Sequence, residues 1–470
     1  MGFISKHPFV DIRIPIDEDN PSIKRDEELC VKCGACRKIC DTHIAVGRLY
    51  NLESTNDRAI CIHCGQCANG CPTNSITEQY EYGEVKKAIA DPDKIVIFNT
   101  SPSVRVSLGE EFGLEPGTFV EGKMVASLRT LGADYVLDTN FGADMTIMEE
   151  SCEFIGRIVR KTSPLPQFTS CCPAWVKFCE TFYPQMLSHL SSAKSPIGMQ
   201  SPTVKTYFSR QNGIDPRQIV NVAVTPCTAK KFEIRRAEMN AASREWGVPG
   251  MRDMDCVITA RELAKWLKEE SIDFNALPDG SYDRLMGTAS GAGAIFGNTG
   301  GVMEAVIRNA YYYAARKRPP EDFLNLQAVR GMDGIREATV TIAGTPVRVA
   351  VVHGINNAKQ LIDKLFADGF RAYDLIEVMA CRGGCIGGGG QPKTTIPMTD
   401  EIRKARINGL YKKDSGMTVR FSIDNPDIKA VYRQYYKRPL SSIAKRLLHT
   451  SYYSRSKDLG PMGMVEKPLT

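Results

Sequence analysis

Eight cysteines crowd into the first ninety residues in one rhythm stated twice: Cys30-x-x-Cys33-x-x-Cys36-x-x-x-Cys40, then Cys61-x-x-Cys64-x-x-Cys67-x-x-x-Cys71-Pro72. This is the bacterial two-cluster 4Fe–4S spacing, in which the fourth cysteine of each run ligates the neighbouring cluster. The predicted sets are Cys30, Cys33, Cys36 and Cys71 for one cube, and Cys61, Cys64, Cys67 and Cys40 for the other. Small residues inside the steps (Gly34, Ala35, Gly65) let the backbone curl so that the thiolates converge. Zinc competes for thiolates, but it seldom takes this compact rhythm twice. Asp41 stands where a proline is usual, and His43 and His63 read as bystanders because all eight thiols are present.

The rest of the composition narrows the setting. The chain has 470 residues, 16 of them cysteine, with 43% hydrophobic and 24% charged residues. It can bury a sizeable core and is not a disordered chain. No apolar run of about 18 residues is present, so no membrane span is expected. The opening residues are charged and alternating where a secretory or twin-arginine signal needs an apolar core, and a cytoplasmic location is expected. Thiols stay reduced there, which favours metal ligation over a disulfide framework.

Three regions are expected. Residues 1–90 read as a ferredoxin-like α+β domain, and residues 91–400 as an α/β body with largely parallel sheets. Its predicted strands are Lys94–Asn99, Tyr135–Leu137, Val220–Val224, Cys256–Thr259, Val347–Val352 and Leu375–Met379. Most lead through a turn into a helix, such as Ala260–Glu269 or Ala358–Phe366. Ala338–Val352 reads as a hairpin turning at Gly344-Thr345-Pro346. Residues 401–470 hold 15 Lys/Arg against 6 Asp/Glu, with six tyrosines interleaved. A nucleic-acid patch is one reading of such a segment. A helical tail that wraps the body with its basic residues in solvent is the preferred one.

The body holds eight further cysteines. Five lie in turn sequences: Cys171 and Cys172 in Thr169–Trp175, Cys227 in Thr225–Glu233, and Cys381 and Cys385 in Glu377–Cys385; Cys171 is set apart below, which leaves four. Four thiolates from three distant loops would hold another cube or a zinc ion. The glycines at 387–390 suggest that something bulky approaches the backbone there.

These three segments resemble the active-site signatures of the FeFe hydrogenases, and the resemblance runs from about residue 25 to about 455. Ser101–Arg105, Met148-Glu149-Glu150, Leu190–Pro196 and Gly297–Glu304 agree with it. The tail, with Asn425-Pro426 and His449–Tyr453, looks like that family's small subunit fused to the catalytic chain. The resemblance implies an H-cluster, a cube joined through one cysteine to a diiron unit bearing carbon monoxide, cyanide and azadithiolate. It places Cys172, Cys227, Cys381 and Cys385 on the cube, with Cys385 bridging to the diiron unit. It gives Lys230 and Ser103 the cyanides, helped by amides near Pro102 and Pro226, and sets Met379 beside the diiron centre. Cys171 becomes a free thiol passing protons, continued by Glu150, Ser191, Glu153 and Arg157 towards solvent. Adjacent residues of an extended segment point opposite ways, which fits separate roles for Cys171 and Cys172. Such a thiol exchanges a proton near neutral pH if its environment lowers its pKa modestly.

Three positions depart from the usual family pattern: Thr225 for methionine, Arg382 for proline and Ile197 for glutamine. Thr225 is expected close to the diiron site. Cys152, Cys179 and Cys256 have no assigned role and read as small hydrophobes. Gly291-x-Gly293 is not a dinucleotide motif, because Phe296 occupies the third-glycine position. The implied reaction interconverts protons and electrons with dihydrogen. Implied partners are a ferredoxin or similar electron carrier and the maturation proteins for the diiron unit, with no nucleic acid and no membrane. A hydrogen or redox sensor, or the family's non-catalytic iron–sulfur assembly branch, are the alternatives.

Overall fold

Two parallel-type sheets set the architecture, and the computed structural model describes residues 12–467. Before them, strands β1 (Ile23–Arg25) and β2 (Ile76–Glu78) pair antiparallel around the two cysteine runs. The first sheet has the order β4-β3-β6-β7, from β3 (Ile95–Thr100), β4 (Tyr135–Asp138), β6 (Ile219–Thr225) and β7 (Cys256–Thr259). All its pairings are parallel. The second has the order β5-β10-β9-β8, from β5 (Gln167–Phe168), β8 (Ile335–Ile342), β9 (Thr345–His353) and β10 (Leu375–Met379). Only its β8–β9 pair is antiparallel. The α/β body with largely parallel sheets is therefore as expected.

The central strands are continuous apolar runs because helices cover both faces. Every residue of β10 is buried, and so are six of the seven in β6. Two details differ from expectation. The hairpin turns at Ala343-Gly344, both with positive φ, and Pro346 lies inside β9 opposite Thr341. Strand β5, with only two residues, carried too little periodicity to be read from sequence.

Ion pairing fixes the long helix Thr139–Arg160. Asp138 caps it by accepting from the Asn140 amide at 2.7 Å, and the buried Arg105 guanidinium grips Asp138 and Glu121.

The tail wraps the body through helices Asp400–Gly416, Pro426–Val431 and Ser442–Leu448. Not all its basic residues face solvent. Arg406 is fully buried, with two bonds of 2.7 Å to the Glu110 carboxylate and one to the Ile386 carbonyl. Tyr432, Tyr435 and Tyr436 join a core with Phe141, Met199 and Phe208. No helix among the described residues is long and apolar enough to cross a membrane.

Candidate active site

The strand ends make the site. The carboxyl ends of β3 and β6 in one sheet, and of β5 and β10 in the other, deliver Ser101-Pro102-Ser103, Pro226-Cys227, Cys171-Cys172 and Ala380-Cys381 to one place. Ligands gather at such strand ends in parallel sheets. Between them lies a cavity lined by all of these residues, with Thr225, Lys230, Met379, Cys385 and Ile197. Five cysteines from three loops therefore meet, although the loops are far apart in sequence.

Glu377, the middle residue of β10, locks this end in place. Its buried carboxylate accepts from the amides of Gly300 (2.6 Å) and Met303 (2.7 Å), at the start of helix Gly301–Ala315. A helix N-terminus favours that charge. Burial nevertheless pushes Glu377 up to about 7. The role of the Gly297–Glu304 stretch as the receiver of this carboxylate was not legible in the sequence.

The cavity wall holds polar groups that the protein itself does not satisfy. Ser103 Oγ is buried with no hydrogen-bond partner. Such an atom is costly unless a ligand meets it. Lys230 Nζ donates to the Cys171 carbonyl (3.1 Å) and to Glu233 Oε2 (2.8 Å). Two of its three donors are thus engaged, and one remains for the cavity. Burial opposes the charge of Lys230, but the Glu233 carboxylate outweighs it and holds the pKa above its ordinary value. A cation and a hydroxyl facing a dry, thiol-lined space form a receptor for an anionic ligand such as cyanide. The residues present therefore fit a cube joined to a diiron unit with anionic ligands. Among the described residues, no three His, Cys, Asp or Glu side chains close on one point as a lone ion requires. Thiolates at the corners of a cube stand further apart than that.

The three departures from the family pattern separate in space. Thr225 and Ile197 line the cavity, and Thr225 Oγ1 accepts from the Cys227 amide at 3.2 Å. Arg382 turns outward and pairs with Asp400.

The glycines at 387–390 are approached by the protein's own chain. A Cβ on Gly389 would meet the Cys64 carbonyl at 2.2 Å and Gly65 Cα at 2.7 Å, and Gly65 has φ +69°. What comes close is the second cysteine run. Gln66 Nε2 donates to Cys381 Sγ (3.2 Å) and to the Gly387 carbonyl (3.0 Å), while Asn69 donates to Gly388 (2.9 Å). The cluster-binding region and the cavity thus share a wall.

The surroundings of Cys171 do not lower its pKa. Burial first, then the nearby carboxyl of Glu150, push its pKa well up rather than down. Glu150 itself is pushed up to about 8 by burial and then by Glu153. Neither Glu150 oxygen has a hydrogen bond of ordinary geometry. Ser191 Oγ donates to Glu153 Oε2 (2.9 Å), and Arg157 Nη2 donates to Glu153 Oε1 (2.7 Å). Arg157 does not reach solvent: it is buried, its guanidinium spent on the carbonyls of Pro164, Ser188, His189 and Leu190. Of these residues Glu153 comes nearest the surface: its side chain is 12% exposed and borders a surface pocket.

The bystander histidine His63 stacks on Phe232 and bonds Lys177 at 2.7 Å.

Comparison with known proteins completes the picture. The family profile described as iron only hydrogenase large subunit, C-terminal domain, matches residues 94–389; iron hydrogenase small subunit matches 400–455, and 4Fe-4S binding domain matches 55–77. Iron hydrogenase 1 of Clostridium pasteurianum is 42% identical over 93% of this chain and 77% of its own. The periplasmic [Fe] hydrogenase large subunit of Nitratidesulfovibrio vulgaris is 46% identical over 83% and 90%. The apo structure of a variant of [FeFe]-hydrogenase HydA1 from Chlamydomonas reinhardtii superposes with a TM-score of 0.69 at 39% identity, covering 79% of this chain and 98% of that one. Cytosolic iron-sulfur assembly component 3 of Bos taurus is more distant, at 32% over 80% and 78%. With its cysteine-lined cavity, its profile matches and these identities, the chain belongs to the iron-only, or FeFe, hydrogenases, which interconvert protons and electrons with dihydrogen at an H-cluster.

Proposed function

We propose the following division of labour. Cys172, Cys227, Cys381 and Cys385 would hold the cube of the H-cluster, Cys385 being the one that would also serve the diiron unit, and the eight N-terminal cysteines would hold the two further cubes in the sets given above. The bound cofactor supplies the redox chemistry that joins two protons and two electrons. Lys230 and Ser103 orient its anionic ligands, aided by the backbone at Pro102 and Pro226, while Met379 and Thr225 shape the wall.

Cys171 holds a proton at Sγ. Its raised pKa makes it a neutral acid, and Glu150, raised to about 8, is likewise protonated at neutral pH. Both groups therefore hold a proton that can be handed on along the row. From there Ser191 and Glu153 lead outward, and Arg157 positions Glu153. Cys33 is the exposed member of its set, so the cube it would hold would lie nearest a ferredoxin or a similar small carrier, with the cube of the Cys61–Cys67 run further in. That run touches the cavity loop through the Gln66–Cys381 contact. The diiron unit is delivered by maturation proteins, and the working compartment is the cytoplasm.

The observation that carries this reading is the orphaned Ser103 hydroxyl and the spare donor of Lys230 facing a cavity lined by cysteines. Infrared spectra of protein co-expressed with the maturation enzymes test it. Carbon monoxide and cyanide bands are expected, and Lys230→Ala is expected to shift or abolish them. Wild-type bands in that variant would remove Lys230 from the cyanide site.

A further inference from the structure

The fused tail reaches the proposed proton route. Residues 448–450 run antiparallel beside Ser192–Lys194: Lys194 N donates to Leu448 O (2.9 Å) and Thr450 N to Ser192 O (2.8 Å). This zipper places His449 between two polar partners. Its Nδ1 lies 2.8 Å from Ser192 Oγ, and its Nε2 lies 3.0 Å from Glu149 Oε2. Ser192 Oγ is in turn 3.2 Å from Glu153 Oε2.

The hydrogens follow from the partners. Glu149 is fully buried and accepts on both oxygens, from Tyr432 OH (2.5 Å) and the Leu440 amide (2.7 Å). With both oxygens placed as acceptors, Glu149 faces His449 with an acceptor, and the tautomer that fits is the one in which Nε2 donates to it. Exchange is left to Nδ1. When Nδ1 is bare, the Ser192 hydroxyl donates to it. When Nδ1 is protonated, it donates to Ser192, and that hydroxyl turns to Glu153.

We propose that His449 is a proton-relay residue through which the tail feeds Glu153, giving the route a second entrance; this rests on the proton route read above. The Nδ1–H bond breaks as that proton joins Ser192 Oγ, while the hydroxyl proton already there passes to Glu153 Oε2. No electrons change hands. Water recharges the imidazole, since His449 borders two separate surface pockets. Imidazole suits the task because its two nitrogens face different partners, so one can be fixed while the other takes up and releases a proton.

The charged surroundings of His449 come from several elements. Glu149 and Glu153 face it from the long helix, and Lys445 and Arg160 share one of the two pockets. Glu238, Arg244 and Glu245, with Arg446, line the other. Lys194, on the neighbouring segment, donates to the Leu447 carbonyl.

The test compares His449→Gln, which keeps a donor but no basic nitrogen, with Ser192→Ala, which cuts the bridge and leaves the pairing with Glu149. In fully loaded enzyme, both are expected to lower hydrogen turnover several-fold and to remove the same inflection from the rate–pH profile. The double variant is expected to be no worse than either single. In ¹⁵N-histidine-labelled protein lacking the diiron unit, Glu153→Gln is expected to shift the His449 titration. An unchanged rate–pH profile in both single variants, or an unmoved His449 titration, would overturn the relay. Wild-type turnover in Glu153→Gln would instead overturn the underlying route, so the two failures are distinguishable.

Discussion

The two iron-binding regions are built on opposite plans. In the N-terminal region the thiols follow one another at short intervals, on a frame of β1, β2 and short helical segments. Cys33 is exposed, and amide and side-chain donors, including Lys32 N–H and Arg13, outweigh burial to lower the pKa of Cys30. In the cavity, thiols arrive from strand ends of two sheets. Burial dominates there, as it does at Cys40, Cys64 and Cys67 of the inner N-terminal set, raising Cys227 to about 12 and Cys381 well above its ordinary value. Metal binding must therefore supply the deprotonation in the cavity, whereas the outer run is partly prepared for it. The outer cluster can fail alone; the inner one depends on the whole fold.

The largest expected effect breaks that comparison directly. Cys172→Ala should abolish hydrogen turnover and lose the carbon monoxide bands, lowering the iron content from about 14 towards the about 8 of two cubes. Cys33→Ala should lose only outer iron and ferredoxin-driven turnover, leaving those bands intact. If Cys33→Ala also erased the bands, the outer run would not be independent of the cavity.

Next in size is Cys171→Ala. Its neighbour at 172 is the proposed ligand, so this variant should assemble the complete cofactor and accept electrons. Turnover should fall by orders of magnitude because the wall loses its proton donor. Loss of the cofactor, or wild-type turnover, would mean that the two thiols have exchanged roles.

Glu150→Gln sharpens the contrast through pH. A carboxyl at about 4.3 in the unfolded chain and about 8 in the folded one favours the folded state fully only below the lower value. That contribution fades as pH rises towards 8. A glutamine does not titrate, so the variant's melting temperature should gain on wild type from about pH 5 upward and level off above pH 8. Turnover should fall at the same time. A melting difference that does not vary with pH would contradict the buried, proton-holding carboxyl.

The same contrast decides what could be read before the structure. The N-terminal ligand runs are legible because their geometry is local. Thiol-bearing turns after strands hinted at a shared site, but only the resemblance said that they meet, since nothing in the spacing of Cys172, Cys227 and Cys381 says that β5, β6 and β10 end at one point. Partners made by tertiary contact were not legible: Arg406 with Glu110, Glu377 with Gly300 and Met303, and the close approach of Gly389 to Gly65. Arg157 was expected to lead towards solvent because helical spacing gives a face but not what covers it. Carbonyls from Pro164, Ser188, His189 and Leu190 bury that face.

The smallest expected effect separates two departures that looked equivalent in sequence. Thr225 lines the cavity and accepts the Cys227 amide, while Arg382 pairs with Asp400 away from it. Thr225→Met removes that acceptor and places a longer, polarizable side chain against the cofactor. The lost hydrogen bond is worth about 1 kcal/mol, so folding and iron content should survive. The carbon monoxide stretching pattern should nevertheless move, because the wall beside the diiron ligands has changed. Arg382→Asn should leave that pattern where it is, since the guanidinium reaches only a half-exposed carboxylate whose pairing contributes little. Equal band shifts from both variants would mean that the loop at 380–385 transmits surface changes to the cofactor. Arg382 would then count among the residues that tune it, despite pointing the other way.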